Sequence, residues 1–249
     1  MPDWLNVEIA GTAAWPAAEK TVRFEGQVLL LKPATPTTSQ SIHVDLSRGL
    51  DETQALTLIN RFLSLVCWCD DQPIENRYGW SGSPVPVTIP RSLDPSGSSV
   101  AFPSEFSISR DRRAILALAL YREGRNINST AFAFLSYFKI LNIFWKDRFK
   151  TVQGVRSNPI VDGIRSILPN ITDEQAALRI QTLKSAGLDV AEYLYESCRC
   201  AVAHANIDPV ADPDNLADIR RLAADVWIIK AISEKLMTNE LSLSRCLFQ

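Results

Sequence analysis

The spacing of hydrophobic positions changes near residue 51 and divides the chain into a β-rich part and a helical part. Before this point, alternating apolar residues with many β-branched side chains predict three short strands over residues 5–9, 21–31 and 41–46. After it, apolar side chains recur every three or four residues, which predicts an amphipathic helix that ends near Asp70. Six prolines then lie between residues 72 and 103, and they predict a long loop with at most one short strand at 85–89.

Helix start and stop signals divide the rest of the chain. Ser109 and Thr130 are predicted N-caps, Asn158 precedes a proline at a first helical position, and glycines or prolines follow the helices. The last helix is predicted to start at Asp212-Pro213. We therefore predict four long helices with two short helices between them, at residues 109–123, 130–149, 158–169, 172–187, 188–204 and 212–240.

These patterns predict an α+β protein that is mainly α-helical. A small β-containing N-terminal region with one helix is expected over residues 1–71, and a Pro/Gly/Ser-rich linker or long loop over 72–106. A helical bundle is expected over 107–249. No tandem repeat emerges, and the common nucleotide-binding and hydrolase motifs are absent from the sequence.

Composition and hydropathy indicate a globular protein. The chain has 249 residues, of which 46% are hydrophobic and 22% charged, which excludes a disordered or fibrous protein. Its first residues lack the basic and apolar regions of a secretory signal, so we expect a cytosolic protein with reduced thiols. The most apolar stretch, residues 131–149, is interrupted by charges, and we expect no membrane span.

Charge is unevenly distributed along the chain. Residues 107–160 contain ten basic and three acidic residues, a local balance of +7, although the whole chain carries −2. Such a layout favours a basic face for a polyanion, and the alternative is a set of solvated helix surfaces paired with acidic neighbours.

The chain contains only two histidines, so few residues could transfer protons near neutral pH. His43 lies in a predicted strand, and we interpret it as an exposed strand residue rather than a functional group. His204 ends the predicted helix 188–204 and follows Arg199 by five residues, in the sequence R-C-A-V-A-H. Two Cys-X-Cys pairs leave a zinc site as an alternative. Because both pairs lie in predicted helices, we expect packing thiols and no metal or other cofactor.

The arginine and histidine with four residues between them resemble the RxxxxH motif of the HEPN superfamily, a helical-bundle fold found in many RNases. The helix predicted from Thr130 is similar to one in HEPN-like proteins of methylamine utilisation. The resemblance covers about residues 107–240 and implies a HEPN-like four-helix bundle with two short extra helices. It also implies a homodimer in which two motifs face each other. Cys200 stands where the family usually has a polar residue.

RNA cleavage by the 2′-hydroxyl needs a proton acceptor, a proton donor and positive charge at the phosphate. Histidine exchanges protons near neutral pH, and a guanidinium binds phosphate through two parallel hydrogen bonds. Residues five apart on a straight α-helix point about 140° away from each other, so a site needs a helix end that turns His204 or a second subunit. Glu196 and Asn206 are candidates to orient Arg199 and to contact phosphate or base.

The resemblance thus predicts a metal-independent endoribonuclease in which Arg199 stabilises the phosphate and His204 transfers the proton. Expected partners are single-stranded RNA or tRNA, a second copy of the chain, and an antitoxin or sensor protein, because such enzymes serve as bacterial toxins or antiviral-defence effectors. One alternative is a non-catalytic HEPN-like protein that dimerises or holds a nucleotide. Arg199 would then bond Glu196 or Glu192, and His204 would cap its helix.

Overall fold

The computed structural model describes residues 3–91, 98–148, 150–152, 155–204 and 211–245. It confirms an α+β protein with a β-rich N-terminal region followed by a helical region. The chain forms two units, and unit 1 comprises Met1–Asn126 and Ser244–Gln249, while unit 2 comprises Ile127–Leu243. This division differs from the one predicted from sequence, because the boundary falls after a helix that was assigned to the bundle.

The described strands of unit 1 are β1 (Trp4–Gly11), β2 (Trp15–Pro16), β3 (Lys20–Phe24), β4 (Gln27–Lys32), β5 (Ser41–Asp45), β6 (Ile74–Ser83), β7 (Ser98–Ser99) and β8 (Glu105–Phe106). Six of them form one sheet with the strand order β6-β1-β5-β4-β3-β8. Neighbouring strands in this sheet are antiparallel except β3 and β8, which are parallel, and β2 and β7 form a separate parallel pair.

Two strand predictions require correction. Residues 21–31 form a hairpin instead of one strand, because Glu25 and Gly26 both adopt left-handed backbone conformations with φ of 49° and 77°. The segment 72–106 is not a linker, because its first part forms the ten-residue strand β6 beside β1. β6 itself contains no proline, because Pro73 directly precedes the strand and Pro84 directly follows it.

The predicted amphipathic helix is confirmed as α1 (Glu52–Asp70). Asp51 and Gln54 form a reciprocal capping box that fixes its first residue. Its buried Phe62 contacts the rings of Phe24 and Phe106 edge-on, which anchors the helix to the sheet.

The next helix, α2 (Arg112–Asn126), packs against α1 and belongs to unit 1. From sequence it is predicted as the first helix of the bundle, whereas the observed contacts group it with the β-rich unit. Gly124 does not end the helix as predicted but lies buried within it. Its buried face consists of Ala114, Ala117, Leu118, Tyr121 and Gly124, and the small members of this set allow close approach to α1.

His43 is buried, which corrects the prediction of an exposed strand residue. It lies on β5 opposite Asn6 of β1, in the interior of the sheet. The proline-rich segment after β6 covers this face of the sheet, since the Val87 amide donates to Asn6 Oδ1 at 2.9 Å and the Ser39 amide to Ile89 O at 2.9 Å. Both faces of β5 are therefore covered, a situation that alternation of residues along one strand does not reveal.

The described residues of unit 2 are mainly helical and include two short antiparallel strands. The elements are α3 (Thr130–Phe144), the strands β9 (Lys150–Val152) and β10 (Val155–Ser157), α4 (Pro159–Ile167), α5 (Glu174–Ser185), α6 (Val190–Tyr193), a π-helix (Leu194–Cys200), α7 (Ala201–Ala203) and α8 (Leu216–Leu241). The longest of these helices, α8, packs against α3 and α5, while α4 contacts α6.

Local signals placed most of these helices within a few residues. Asn158 caps α4 as predicted, its side chain accepting from the Ile160 amide. In contrast, α3 ends at Phe144 instead of near residue 149, and α8 is capped by Asn215 instead of starting at Asp212-Pro213. Within the described ranges, none of the helices combines the length and apolar character that crossing a membrane requires.

Candidate functional site

The helix that carries Arg199 is not a regular α-helix. Residues Leu194–Cys200 form a π-helix, a widened turn with i→i+5 hydrogen bonding that is common at functional sites. The helix ends at Ala203, and His204 has an extended backbone with φ of −131° and ψ of 107°. Together these features bring Arg199 Nη1 to 3.4 Å from His204 Nε2 within one chain. On a straight α-helix the two side chains would have diverged.

Asp147 holds the guanidinium from the opposite side. Its Oδ2 accepts from Arg199 Nη2 at 2.6 Å, and its Oδ1 accepts from the Tyr195 hydroxyl at 2.7 Å. Asn158 Nδ2 approaches the same Oδ1 at 3.4 Å. The guanidinium also lies 5.5 Å from the centre of the Tyr195 ring. We name these residues, Asp147, Asn158, Tyr195, Arg199 and His204, the Arg–His cluster.

The segment after α3 positions Asp147 through its packing on α4. Trp145 caps the C-terminus of α3, and its amide bonds Leu141 O at 2.9 Å. Its indole lies directly against Gly163 of α4, where the space for a β-carbon is already filled by the ring. This close approach ties the chain around Asp147 to the helix capped by Asn158.

The electrostatics of the cluster keep Arg199 charged and Tyr195 protonated. Burial opposes the charge on Arg199, but the Cys200 sulfur and the Asp147 carboxylate outweigh it and raise the pKa of the guanidinium above its ordinary value. Burial and the hydrogen bond to Asp147 raise the pKa of Tyr195 to about 12. Tyr195 therefore acts as a hydrogen-bond donor at neutral pH and not as a base.

The contact between the two motif residues defines the hydrogen-bonding role of the imidazole. A guanidinium has only donors, so His204 Nε2 must present its lone pair to Arg199 in this arrangement, and Nδ1 then carries the proton. At 3.4 Å the contact is long for a hydrogen bond. The arrangement thus places a proton acceptor beside a fixed positive charge, which is a suitable environment for an anion that carries a hydroxyl group.

The two predicted orienting residues have different outcomes. Glu196 is exposed, and the carboxylate that bonds Arg199 is that of Asp147, which sequence reasoning missed. Glu192, the other acid considered for Arg199, instead pairs with Arg165 at 3.4 Å. Asn206 lies outside the described residues. Asp147 is 52 positions from Arg199, and no local spacing pattern connects them.

The predicted basic stretch is divided between the two units. Arg110, Arg112, Arg113, Arg122 and Arg125 belong to unit 1, and Lys139, Lys146, Arg148, Lys150 and Arg156 belong to unit 2. Several are engaged locally, for example Arg113 with Asp111 at 3.1 Å and Arg125 with Asp71 at 3.4 Å. The +7 balance along the sequence is therefore not evidence for one continuous basic face.

The cysteines of the two Cys-X-Cys pairs lie in different units of the protein. Cys67 and Cys69 are buried in α1 of unit 1, whereas Cys198 is buried in the π-helix of unit 2. Among the residues that the structure describes, no group of three or more His, Cys, Asp or Glu side chains is arranged to hold a metal ion.

A cavity of about 290 Å³ lies in unit 2 next to α7, the short helix that precedes His204. Residues at the N-terminus of α3 form part of its wall, and both polar and apolar side chains line it. The lining residues are Asn128, Ser129, Thr130, Ala131, Val202, Ala211, Asp212, Pro213, Ile219 and Leu222.

The fold and the cluster define the chain as an α+β protein whose helical unit carries a polar Arg–His cluster. The model of the family described as methylamine utilization protein MauJ matches residues 117–238, a segment that contains the whole cluster. Neither the comparison with curated proteins nor the comparison with solved structures gives a match.

Proposed function

We propose that unit 2 is a HEPN-type, metal-independent endoribonuclease that cleaves single-stranded RNA or tRNA. The observation that carries this proposal is the 3.4 Å contact between Arg199 Nη1 and His204 Nε2, with Arg199 fixed by Asp147. An anchored cation beside a proton acceptor is what cleavage by an internal hydroxyl needs.

In the proposed reaction, a phosphate oxygen replaces His204 as the partner of Arg199 Nη1. His204 Nε2 accepts the proton of the 2′-hydroxyl as the 2′-oxygen forms a bond to phosphorus. The bond from phosphorus to the 5′-oxygen breaks, and the imidazolium returns the proton to that oxygen. The products are a 2′,3′-cyclic phosphate and a 5′-hydroxyl, and no metal takes part.

Asp147 and Tyr195 support this reaction without touching the reacting atoms. The 2.6 Å bond from Asp147 fixes one edge of the guanidinium, so that Nη1 remains directed at the substrate position. Tyr195 donates to the other carboxylate oxygen and limits rotation of Asp147. Both are therefore positioning residues in this proposal.

The resemblance to HEPN proteins supports three further parts of the proposal. The protein acts as a homodimer in the cytoplasm, with the two Arg–His clusters forming a shared site. It serves as a bacterial toxin or antiviral-defence effector. An antitoxin or sensor protein restrains it until cleavage is required.

The test is incubation of the purified protein with total RNA in EDTA. Wild-type protein should cleave the RNA and leave 5′-hydroxyl ends that polynucleotide kinase labels without prior phosphatase treatment. His204→Ala should lower the rate by about 100-fold or more, the range for loss of a general base. Arg199→Ala should lower the cleavage rate by a similar factor, because the negative charge that develops on the phosphate in the transition state would lose its guanidinium partner.

Arg165→Ala is the matched control, because Arg165 lies in the same unit and its ion-pair partners, Asp162, Asp189 and Glu192, are not members of the Arg–His cluster. This variant should cleave RNA at the wild-type rate. Uncleaved RNA in the presence of folded wild-type protein, or equal cleavage by all variants, would contradict the proposal.

The second candidate function is a non-catalytic HEPN-like protein that dimerises or holds a nucleotide. The ion pair of Arg199 with Asp147 favours it, because a carboxylate already neutralises the cation that a phosphate would require. Binding of a nucleotide in equilibrium dialysis, without RNA cleavage and with loss of binding in Arg199→Ala, would support this function.

A further inference from the structure

Two polar side chains of α8, Arg221 and Asp225, contact the π-helix and the residue before it. Asp225 is completely buried, and its Oδ1 accepts from Arg179 Nε at 2.8 Å. Its Oδ2 accepts from the Tyr193 hydroxyl at 2.8 Å and from the Cys198 thiol at 3.4 Å. The carboxylate thus fixes two side chains, at the residue before the π-helix and within it.

Arg221, one turn before Asp225 on α8, reaches the π-helix backbone. Its Nη1 donates to Ser197 O at 2.8 Å and also approaches the Tyr193 hydroxyl at 3.3 Å and the Cys198 sulfur at 3.5 Å. The guanidinium is held in this position by Asp218, at 3.5 Å from Nε, and by Asp225, at 3.8 Å from Nη1.

The contact with Ser197 falls where the helix departs from α-helical bonding. In an α-helix the Ala201 amide would donate to Ser197 O, four residues earlier. Here the Ala201 amide donates to Cys198 O, and Arg221 donates to Ser197 O instead. A carbonyl released from its α-helical donor needs another donor when it is withdrawn from water. Arg221 supplies that donor.

We propose that Arg221 is a positioning residue that maintains the π-helical turn at Leu194–Cys200 and thereby the approach of Arg199 to His204. With Arg221 in place, Ser197 O is satisfied without the α-helical bond, and the Ala201 amide donates to Cys198 O, three residues earlier, where the π-helix ends. Without it, the segment gains the α-helical bond from Ala201 to Ser197, and Arg199 rotates away from His204. The consequence for RNA cleavage rests on the proposed function, whereas the geometric consequence does not.

The protonation pattern of the His204 ring gives a direct readout. In wild-type protein at a pH where the ring is neutral, nitrogen-15 spectra should show His204 with its proton on Nδ1, because Nε2 accepts from Arg199. His43 provides an internal reference in unit 1. The chain has no other histidine, so two ring systems are observed.

Arg221→Met should convert His204 to a mixture of both neutral ring forms, and His43 should not change. Arg220→Met is the matched control, since Arg220 is the exposed neighbour on the same helix, and it should leave both rings as in wild type. If wild-type protein cleaves RNA, Arg221→Met should lose at least about ten-fold in rate, while Arg220→Met should not.

If Arg221→Met fails to fold, Arg221→Lys replaces it, because the ammonium keeps a charge beside Asp218 and Asp225. In this variant His204 should also become a mixture of the two neutral ring forms, but a smaller fraction of the ring should carry its proton on Nε2 than in Arg221→Met. A folded Arg221 variant with the wild-type ring pattern at His204 overturns the proposal. Absence of RNA cleavage by wild-type protein, with the ring pattern changed in Arg221→Met, overturns the nuclease function alone.

Discussion

The buried His43 should make the stability of unit 1 depend on pH below neutrality. Burial, and to a smaller extent the charge of Lys32, lower the pKa of His43 from 6.5 to about 4. Its Nδ1 lies 2.8 Å from Asn6 Oδ1, and its Nε2 lies 2.9 Å from Ser41 Oγ. Asn6 Nδ2 donates to Trp4 O, so Oδ1 is an acceptor and the proton of the neutral ring lies on Nδ1. If Nε2 bound a second proton, it would become a donor, and the Ser41 hydroxyl would have to accept this hydrogen bond instead of donating it.

The magnitude follows from the difference between the folded and unfolded pKa values. Between pH 6.5 and about 4 the unfolded chain binds a proton at His43 that the folded chain does not, so stability falls as pH falls. Each pKa unit corresponds to about 1.4 kcal/mol, and the full effect is about 3 kcal/mol near pH 4. The same relation gives a loss of about 2 kcal/mol between pH 8 and pH 5.

Urea unfolding at pH 8 and pH 5, followed by tryptophan fluorescence, measures this loss in wild type and in His43→Gln. Four of the six tryptophans, Trp4, Trp15, Trp68 and Trp80, lie in unit 1. The variant should be less stable than wild type at pH 8, because it breaks a buried hydrogen-bonded pair. Its further loss on acidification should be smaller than that of wild type by about 2 kcal/mol.

His204→Gln is the control, because it removes the other histidine and should keep the wild-type loss. Comparing each variant with wild type at the same two pH values cancels the contribution of the carboxylates. Equal losses on acidification in wild type and His43→Gln would refute the reasoning, since the proton would then bind the folded and unfolded chains alike.

Three other predictions concern single packing or capping contacts. Gly163→Ala should destabilise unit 2 by about 1–3 kcal/mol, measured by thermal unfolding, because the added methyl overlaps the Trp145 ring, and it should lower any RNA cleavage by moving Asp147. Asp225→Ala should cost about 3–5 kcal/mol in the same measurement, because it leaves the Arg179 guanidinium without its buried carboxylate. Asp51→Ala should cost about 1 kcal/mol in urea unfolding of unit 1, because it removes the α1 cap, whereas a loss below a few tenths of a kcal/mol would contradict the capping contribution.

The features that the sequence predicted well are those determined by neighbouring residues. Asn158 and the capping pair around Asp51 act within four positions of the helix they start, so local patterns locate α4 and α1. The strand β6 was missed because its formation depends on pairing with β1, more than sixty residues earlier in the chain. The unit to which α2 belongs was missed for the same reason, since a helical pattern does not identify its packing partner.

The candidate site shows the same limit in its chemistry. Arg199 and His204 were found because they are close in sequence and resemble a known motif. Their convergence was not predictable from spacing, because a π-helix looks like an α-helix at the level of hydrophobic periodicity. Asp147 was missed because its 2.6 Å bond to Arg199 joins two distant segments, and one sequence contains no signal for such a pair.

Ser244 and Arg245 belong to unit 1, although nearly all of that unit precedes residue 127. The Trp68 indole donates to Ser244 O at 3.2 Å, and the Arg245 guanidinium lies 4.7 Å from the Trp68 ring and donates to the Tyr121 hydroxyl at 3.0 Å. Unit 2 is therefore an insertion whose two ends both connect to unit 1. A fragment of residues 1–126 would lack Ser244 and Arg245, and the aromatic pair Trp68 and Tyr121 would become more exposed. A fusion that replaces the residues after Leu243 would have the same effect in the rest of the chain. A fragment that represents unit 1 should therefore keep Ser244 and Arg245, whereas unit 2 ends at Leu243 and does not include them.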